Sequence, residues 1–462
     1  MQALDQLETP ALLLDAAQME RNIARMRAHL QPLGVTFRPH VKTHKSIDVA
    51  RRMMATTQGP ITVSTLLEAD YFSAHGVTDI LYAVCIAPNK FDHVAALQAR
   101  GVKLTLILDS LETARLLVDR ARSHAQRFDL LIDTMLVISE KEARALVGID
   151  DALQVVQDCF ATMARNAARN YPVVREATGH RDAVFGVKAG CDDAAALLGL
   201  KAGGYWPQNM ARGLGNHQSS TLLFDRDTGC ASALVSANYL TGIRTGAASA
   251  VATRFLSRPD SRVLGLIGAG VQAIYQLDGT LAVRVIEKVV AWDPSADNLA
   301  PFGRAVTERG LEFIAAERQQ VAQQADVLIT VTPSTSALVE QGWVRPGTHI
   351  NAMGADTRGK QELDPALVAR AALFVDEVAQ ALQIGECQHA FGAGLITAES
   401  LRGSLGAVVA GLCEGRRCDT EITLFDGTGV ALQDLAVADL ALRLARQRGF
   451  GSTVAYQDAA LR

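Results

Sequence analysis

The sequence has no CxxC pair, although it contains seven cysteines: Cys85, Cys159, Cys191, Cys230, Cys387, Cys413 and Cys418. An odd number without paired spacing excludes the common zinc and redox motifs. Cys413 and Cys418 are near neighbours, but two thiols do not close a zinc site. The seven read as reduced thiols of a cytoplasmic protein, with no metal expected. An excess of positive charge is also lacking. Forty-five Lys and Arg against 49 Asp and Glu leave a net charge of −4. The basic residues are dispersed, so neither nucleic acid nor an acidic membrane is an expected partner. No apolar run reaches transmembrane length, and the N-terminus lacks a basic-then-apolar signal segment. Repeats and low-complexity tracts are absent. What remains is an ordinary globular composition, 49% hydrophobic and 20% charged over 462 residues. That length suggests about two to four domains.

Strand and helix signals alternate over residues 1–134. Pro10–Asp15 reads as a strand and Met19–Leu30 as an amphipathic helix. Strand signals follow at 35–38, Ile61–Ser64, Ile80–Val84, Leu104–Leu108 and Phe128–Ile132, about six in all. Such βα repetition implies parallel strands. A closed (β/α)₈ barrel needs about eight, and the pattern stops at Asp133-Thr134. The rhythm changes at Met135. A long helix is expected over Asp151–Asn170, then strands over Ala183–Gly190, Leu197–Ala202 and Ser219–Phe224, in a turn-rich α+β stretch ending near position 258. From 259 to 426 the alternation returns. Strands are expected at Arg262–Ile267, Val289–Trp292, Ala325–Thr330, His349–Ala352 and Ala372–Val375, a doubly wound pattern. Within residues 427–462, Ala431–Gln447 reads as a long helix with Gly449 as its stop.

Gly268-Ala269-Gly270-Val271-Gln272-Ala273 follows an apolar strand signal. In a dinucleotide-binding turn the first glycine allows the bend and the second admits a pyrophosphate close to the backbone. A small third residue lets the helix approach the sheet. Gly268, Gly270 and Ala273 fill these places. The helix N-terminus then offers free N–H groups and a positive dipole end. Asp293 lies 20 residues beyond Ala273, at the end of the next strand. A carboxylate there accepts a ribose 2′-hydroxyl and repels a 2′-phosphate, so NAD(H) is expected rather than NADP(H).

Upstream lie Arg175, Lys188, Lys201 and Arg244. Lys188 and Lys201 fall within apolar strand patterns, where an isolated ammonium is costly. Arg244-Thr245 sits in an apolar small-residue stretch. Taken singly, each reads as a solvated or paired charge. Together, beside a nicotinamide domain, they read as a carboxylate site, in which arginine offers bidentate hydrogen bonds and lysine a point charge. Asp356 follows the strand signal at His349–Ala352. It is either a helix N-cap or a carboxylate that keeps a substrate nitrogen protonated, since hydride adds more readily to an iminium than to an imine.

From Met135 onward, several ordered segments resemble the ornithine cyclodeaminase/μ-crystallin family. They are Leu200–Tyr205, Arg244–Ser249, Ile267–Ala273, Gly354-Ala355-Asp356 with Gly359-Lys360, and Asp426–Gly429. The resemblance implies a homodimer acting on a small imino or amino acid. It implies a substrate and dimerisation domain, residues 135–258 and 427–462, carrying an inserted Rossmann domain, residues 259–426. It assigns Lys201, Arg244 and Asp356 to catalysis and Arg175 and Lys188 to the substrate. Around NAD(H) it places Thr245, Gln272, Thr332, Met353 and Thr428, with Gly268, Gly270, Ala273 and Asp293. Gly203–Pro207 and Gly385–His389 look most like the branch of the family that reduces iminosuccinate to L-aspartate with NADH.

Residues 1–134 resemble the start of the D-threonine aldolase/D-serine dehydratase family, which includes β-hydroxyaspartate aldolase. Thr9-Pro10 and Pro39–Lys45 carry the match. Lys42 corresponds to the lysine that forms a Schiff base with pyridoxal phosphate (PLP). The later barrel strands, phosphate loops and metal-bearing C-terminal domain of that family have no counterpart here. The expected fold class is thus α/β: a Rossmann doubly wound domain inserted in an α+β dimerisation and substrate domain, preceded by a partial PLP-type (β/α) barrel fragment. Lys42 is expected to be a relic without PLP, and Thr134-Met135 reads as an in-frame join.

The leading expectation is an NADH-dependent reductase of a dicarboxylic imino acid. A cyclodeaminase-type ammonia-lyase would need an acidic partner for a distal ammonium, against the visible surplus of Lys and Arg. A non-catalytic μ-crystallin-like binder would have no use for Lys201, Arg244 and Asp356 together.

Overall fold

The computed structural model describes residues 14–30, 37–108, 111–124, 127–132 and 135–454. The chain divides into two units, Met1–Met135 with Thr453–Arg462, and Leu136–Ser452.

In the first unit the strands Ile61–Val63, Asp79–Cys85, Lys103–Leu108 and Asp129–Ile132 pair in parallel and in chain order. Parallel neighbours need a crossover, and the helices Leu66–Ala74, Phe91–Ala99 and Leu111–His124 supply one each. Ile61, Val63, Ile80, Tyr82, Leu104 and Leu106 are buried in one core with Phe72 and Leu97 from the helices. Of the roughly six strand signals, four become strands among the described residues. Positions 10–13, 35 and 36 lie outside those residues.

The second unit is built on two sheets. In the first, Met135–Ile138, Ala231–Ser236, His217–Phe224, Leu197–Tyr205, Val184–Asp192 and Ala168–Asn170 lie side by side in that order, and Val174–Ala177 also pairs with Val184–Asp192. All these pairings are antiparallel except that of Met135–Ile138. One face packs on the long helix Ala431–Arg448. A Cβ added at Gly190 or Gly199 would press on Leu432 and Leu435 of that helix. Gly449 ends the helix in the left-handed conformation its sequence predicts.

The second sheet is parallel. Its strand order is Glu312–Ala315, Lys288–Trp292, Val263–Ile267, Val327–Thr330, His349–Ala352, Thr423–Asp426, Ala372–Val375 and Leu401–Ser404. Chain order reverses between Val263–Ile267 and Val327–Thr330. Doubly wound sheets bind ligands at such a switch point, beyond the carboxyl ends of the strands.

One sequence expectation is corrected, and one helix had no counterpart in the sequence reading. The helix expected over Asp151–Asn170 spans Ile149–Ala164. Asn166 turns left-handed, with φ 56°, and Ala168–Asn170 pairs with Val184–Asp192. Sheet pairing there overrides the helical preference of the alanines. The small-residue stretch around Arg244 is the helix Asn238–Leu256, buried along most of its length. A helix buried on all sides has no apolar stripe for a sequence pattern to reveal.

Candidate active site

Two neighbouring strands gather the cations. Lys188 and Lys201 stand directly opposite each other, with Thr221 continuing the row. Opposed residues in a sheet share a face. In the next row Gly186 stands opposite both Gly203 and Arg175. Arg175 therefore edges the same face, and the two glycines leave it free of side chains between Arg175 and the lysines.

Opposed like charges destabilise a sheet, and here a carboxylate on another element offsets them. Asp434, in the helix Ala431–Arg448, pairs with Lys201 Nζ at 2.8 Å and Arg244 Nε at 2.9 Å. Arg244 Nη1 donates to Gln433 Oε1 at 3.1 Å. Lys201, Arg244 and Asp434 are all buried. Burial pulls the Lys201 ammonium down to about 7, opposed by Asp434 and assisted by Arg244 and Lys188. Burial alone would raise the Asp434 carboxyl, but Arg244 and Lys201 hold it down to about 2. Lys188 Nζ donates to the carbonyls of Gly429 at 2.6 Å and Thr428 at 3.3 Å. Burial and then Arg244 lower its pKa.

Asp356 lies just beyond the strand His349–Ala352. No helix begins there, so it is not an N-cap: the chain turns through Thr357–Lys360 into the strand Gln361–Leu363. Its carboxylate pairs with Arg175 Nη1 at 3.0 Å and Lys360 Nζ at 2.8 Å. Burial would push this carboxyl up, but Lys360, Arg175 and Lys188 hold it far below the usual carboxylate range.

Except for Thr245, which lies in the helix Asn238–Leu256, the residues expected around the nucleotide lie at or just beyond the carboxyl ends of strands of the second sheet. Gly268 makes its turn at φ 102°, a conformation that favours glycine. A Cβ at Gly270 would meet nothing within 4 Å, so the space before it is open. The helix Val271–Leu281 starts there, with Ala273 fully buried and the Gln272 Oε1 atom buried without a hydrogen-bond partner. Asp293 Oδ2 accepts the Ala269 N–H at 2.8 Å, which ties the end of the second strand to the glycine turn. Open space, free helix N–H groups and a carboxylate together fit a dinucleotide. Thr332 donates its N–H to Glu362 at 2.6 Å. Met353 packs against Gly427, and Thr428 Oγ1 donates to Asp376 at 2.8 Å. Thr245 Oγ1 donates to the Thr241 carbonyl, one turn back on its helix.

Asp434, Gln433, Asp376 and Glu362 escaped the sequence reading. Glu362 accepts from Thr332 N, Thr330 Oγ1 and Gly354 N, joining the loops after two central strands. The available signal for Asp434 was an acid in the apolar first half of the helix Ala431–Arg448, in a chain whose buried lysines needed a partner. Lys42, in the first unit, donates its backbone N–H to His40 Nδ1 at 3.3 Å.

The site belongs to a reductase-like α/β architecture, and comparison with known proteins defines its family. Residues 133–447 match the ornithine cyclodeaminase/mu-crystallin family, and the chain belongs to it. Residues 14–147 match the alanine racemase N-terminal domain. The iminosuccinate reductase of Paracoccus denitrificans is 51% identical over 320 residues, which cover 69% of this chain and 99% of that protein. Its crystal structure with NAD⁺ covers 70% of this chain and 99% of that one, with a TM-score of 0.66. An archaeal alanine dehydrogenase dimer with bound NAD is 34% identical, covering 70% and 99% of the two chains with a TM-score of 0.67. The Thermococcus litoralis Δ1-pyrroline-2-carboxylate reductase, in complex with NADH and L-proline, is 31% identical. The alignment covers 69% of this chain and all of that one, with a TM-score of 0.67. Among the described residues no helix is long and apolar enough to cross a membrane, and no group of three or more His, Cys, Asp or Glu could hold a metal ion.

Proposed function

We propose that this chain is an NADH-dependent reductase of a dicarboxylic imino acid, converting iminosuccinate to L-aspartate. The charge balance of the site carries this reading. Arg175, Lys188, Lys201, Arg244 and Lys360 outnumber the carboxylates they face, Asp356, Asp434 and Asp376. The excess suits a substrate with two carboxylates. The 51% identity to an iminosuccinate reductase, over 99% of its length, supports the same substrate.

Gly268, Gly270 and the N-terminus of Val271–Leu281 would hold the pyrophosphate, and Asp293 the ribose. Thr245, Gln272, Thr332, Met353 and Thr428 would line the rest. When bound, NADH supplies the hydride. Arg175, Lys188, Lys201 and Arg244 attract and orient the substrate carboxylates. Asp356, kept ionised by its two cations, favours a protonated substrate nitrogen, and so an electrophilic carbon beside it. As the C–H bond forms, the C=N π pair moves to that nitrogen.

A cyclodeaminase would need a free carboxylate for the distal ammonium. Of the buried carboxylates near the cations, Asp434 already pairs through both oxygens with Lys201 and Arg244, and Asp376 accepts from Thr428 Oγ1 and the Gly429 N–H. The homodimer is supported by the sheet face opposite the long helix. Leu234, Leu222, Leu200 and Ala189 line up in register across four strands, all only half-buried. An apolar row of this kind suits a second copy of the sheet. A cytoplasmic location suits seven cysteines without a paired CxxC spacing. Two assays test the function: NADH oxidation with oxaloacetate plus ammonia, against NAD⁺ reduction and proline formation with ornithine. NADPH in place of NADH should lower kcat/KM by about tenfold or more, as expected for a carboxylate at the 2′-position. Equal use of both cofactors would remove Asp293 from the ribose.

A further inference from the structure

The turn from Asp356 to Lys360 is pinned from behind. Lys360 Nζ reaches Asp356 Oδ1 at 2.8 Å and the Gly354 carbonyl at 3.1 Å. The Gly359 N–H donates to Gln388 Oε1 at 2.8 Å. Gln388 Nε2 donates to the carbonyls of Lys360 at 3.2 Å and Gly385 at 2.9 Å. His389 Nε2 bonds the same Lys360 carbonyl at 3.0 Å. Glu386 accepts the N–H groups of Glu362 at 3.0 Å and Leu363 at 2.6 Å. The segment Gly385–His389 is therefore a buttress for this turn.

We propose that Lys360 is the positioning residue for Asp356, held in place by Gln388 and His389, and remains its counter-ion when Arg175 turns to a substrate carboxylate. The proposal rests on the reading that Asp356 lies at the reacting nitrogen. Arg175 comes from the edge strand Val174–Ala177 and uses Nη1 alone on Asp356, bonding both its carboxylate and its carbonyl. A guanidinium has five donors, so most of its capacity is open to another carboxylate. If Arg175 were the sole partner, such a shift would leave Asp356 unpaired in a partly buried site, a costly state. Lys360 prevents that. The other charged or titratable groups facing Asp356 are Lys188, from Val184–Asp192, and His217, from His217–Phe224.

The test compares Lys360→Met, Lys360→Arg and Asp356→Asn in the full chain, with oxaloacetate plus ammonia and NADH. In Lys360→Met, kcat should fall about 100-fold, the usual scale for losing one preorganised electrostatic group. The NADH Kd, read by nucleotide fluorescence, should stay unchanged. The acid limb of kcat/KM should move to higher pH, because a carboxylate that loses a cation titrates higher. Lys360→Arg should restore most of kcat and the original limb. Wild-type kcat and pH profile in Lys360→Met, with Asp356→Asn inactive, would overturn the Lys360 assignment alone. So would a loss of kcat in Lys360→Met with an unmoved acid limb and no rescue by arginine. Full activity in Asp356→Asn would overturn the reading of the site on which it rests.

Discussion

Both units of this chain set a lysine singled out by its sequence motif beside a strand, Lys42 in the first and Lys201 in the second, but only Lys201 is given a counter-charge. Lys42 follows His40, which bridges to Thr62 at the edge of the four-stranded sheet. Among the described residues its ammonium has neither a hydrogen bond nor an ion pair, and it is half-exposed. Lys201 is buried, opposed by Lys188, and joined with Arg244 through Asp434. A motif names a residue type. A site arises where burial and counter-charge fix that residue's place and protonation.

The largest effect should come from breaking that counter-charge. Asp434→Ala would leave Lys201 and Arg244 buried without their shared carboxylate. Loss of one partner from a buried pair costs about 3–5 kcal/mol. The urea midpoint should fall accordingly, with reductase activity lost. An unchanged midpoint would show that the two cations do not depend on Asp434.

Arg244→Ala should come next. It removes a carboxylate anchor, so kcat/KM for the imine should fall by about 100-fold, on the scale set by substrate misplacement, and far more than NADH affinity. Its guanidinium already bonds Asp434 and Gln433, which makes it a rigid anchor. If KM and kcat for the imine are untouched, the carboxylate site lies elsewhere.

A pH effect separates the two units further. The Lys201 ammonium is pulled down to about 7, first by burial. As pH rises through that value the folded enzyme loses this charge while the unfolded chain keeps it. Two consequences follow. For a carboxylate substrate, kcat/KM should drop above about pH 7. Stability, by contrast, should rise with pH between that point and the ordinary lysine range, because there the unfolded state binds more protons. A urea-midpoint series and a kcat/KM profile, each run on wild type and Lys201→Met, check both signs. An alkaline limb that survives Lys201→Met would belong to another group.

The sequence revealed what local chemistry dictates. The glycine turn, Asp293, the helix stop at Gly449 and the parallel alternation all rest on spacing within a few residues to a few tens, and each sits in the structure where its pattern put it. The same reading grouped Lys201 and Arg244 into a carboxylate site but named no partner for them within the chain. Their partner arrives from a helix 190 residues after Arg244, and no local pattern encodes a contact at that range. Physical chemistry requires that a buried ammonium have a partner, but only the fold selects Asp434. The helix Asn238–Leu256 escaped for a related reason, since burial on every side erases the periodicity by which helices are found.

The smallest expected effect is the one that tests the comparison itself. Every candidate site residue from Arg175 to Asp434 falls in the second unit, and the family match spans 133–447. A chain started at Met135 should therefore keep its NADH-linked activity close to that of the full chain. It should also be more soluble, because among the described residues Asp129–Ile132 is paired on one side only, and open strand edges promote association. In the full chain, Lys42→Ala should leave both activity and the visible spectrum unchanged. A Schiff-base absorbance band that vanishes in Lys42→Ala would make the first unit a working site rather than a relic. A Met135-started chain that folds but reduces no imine would show that the second unit depends on the first.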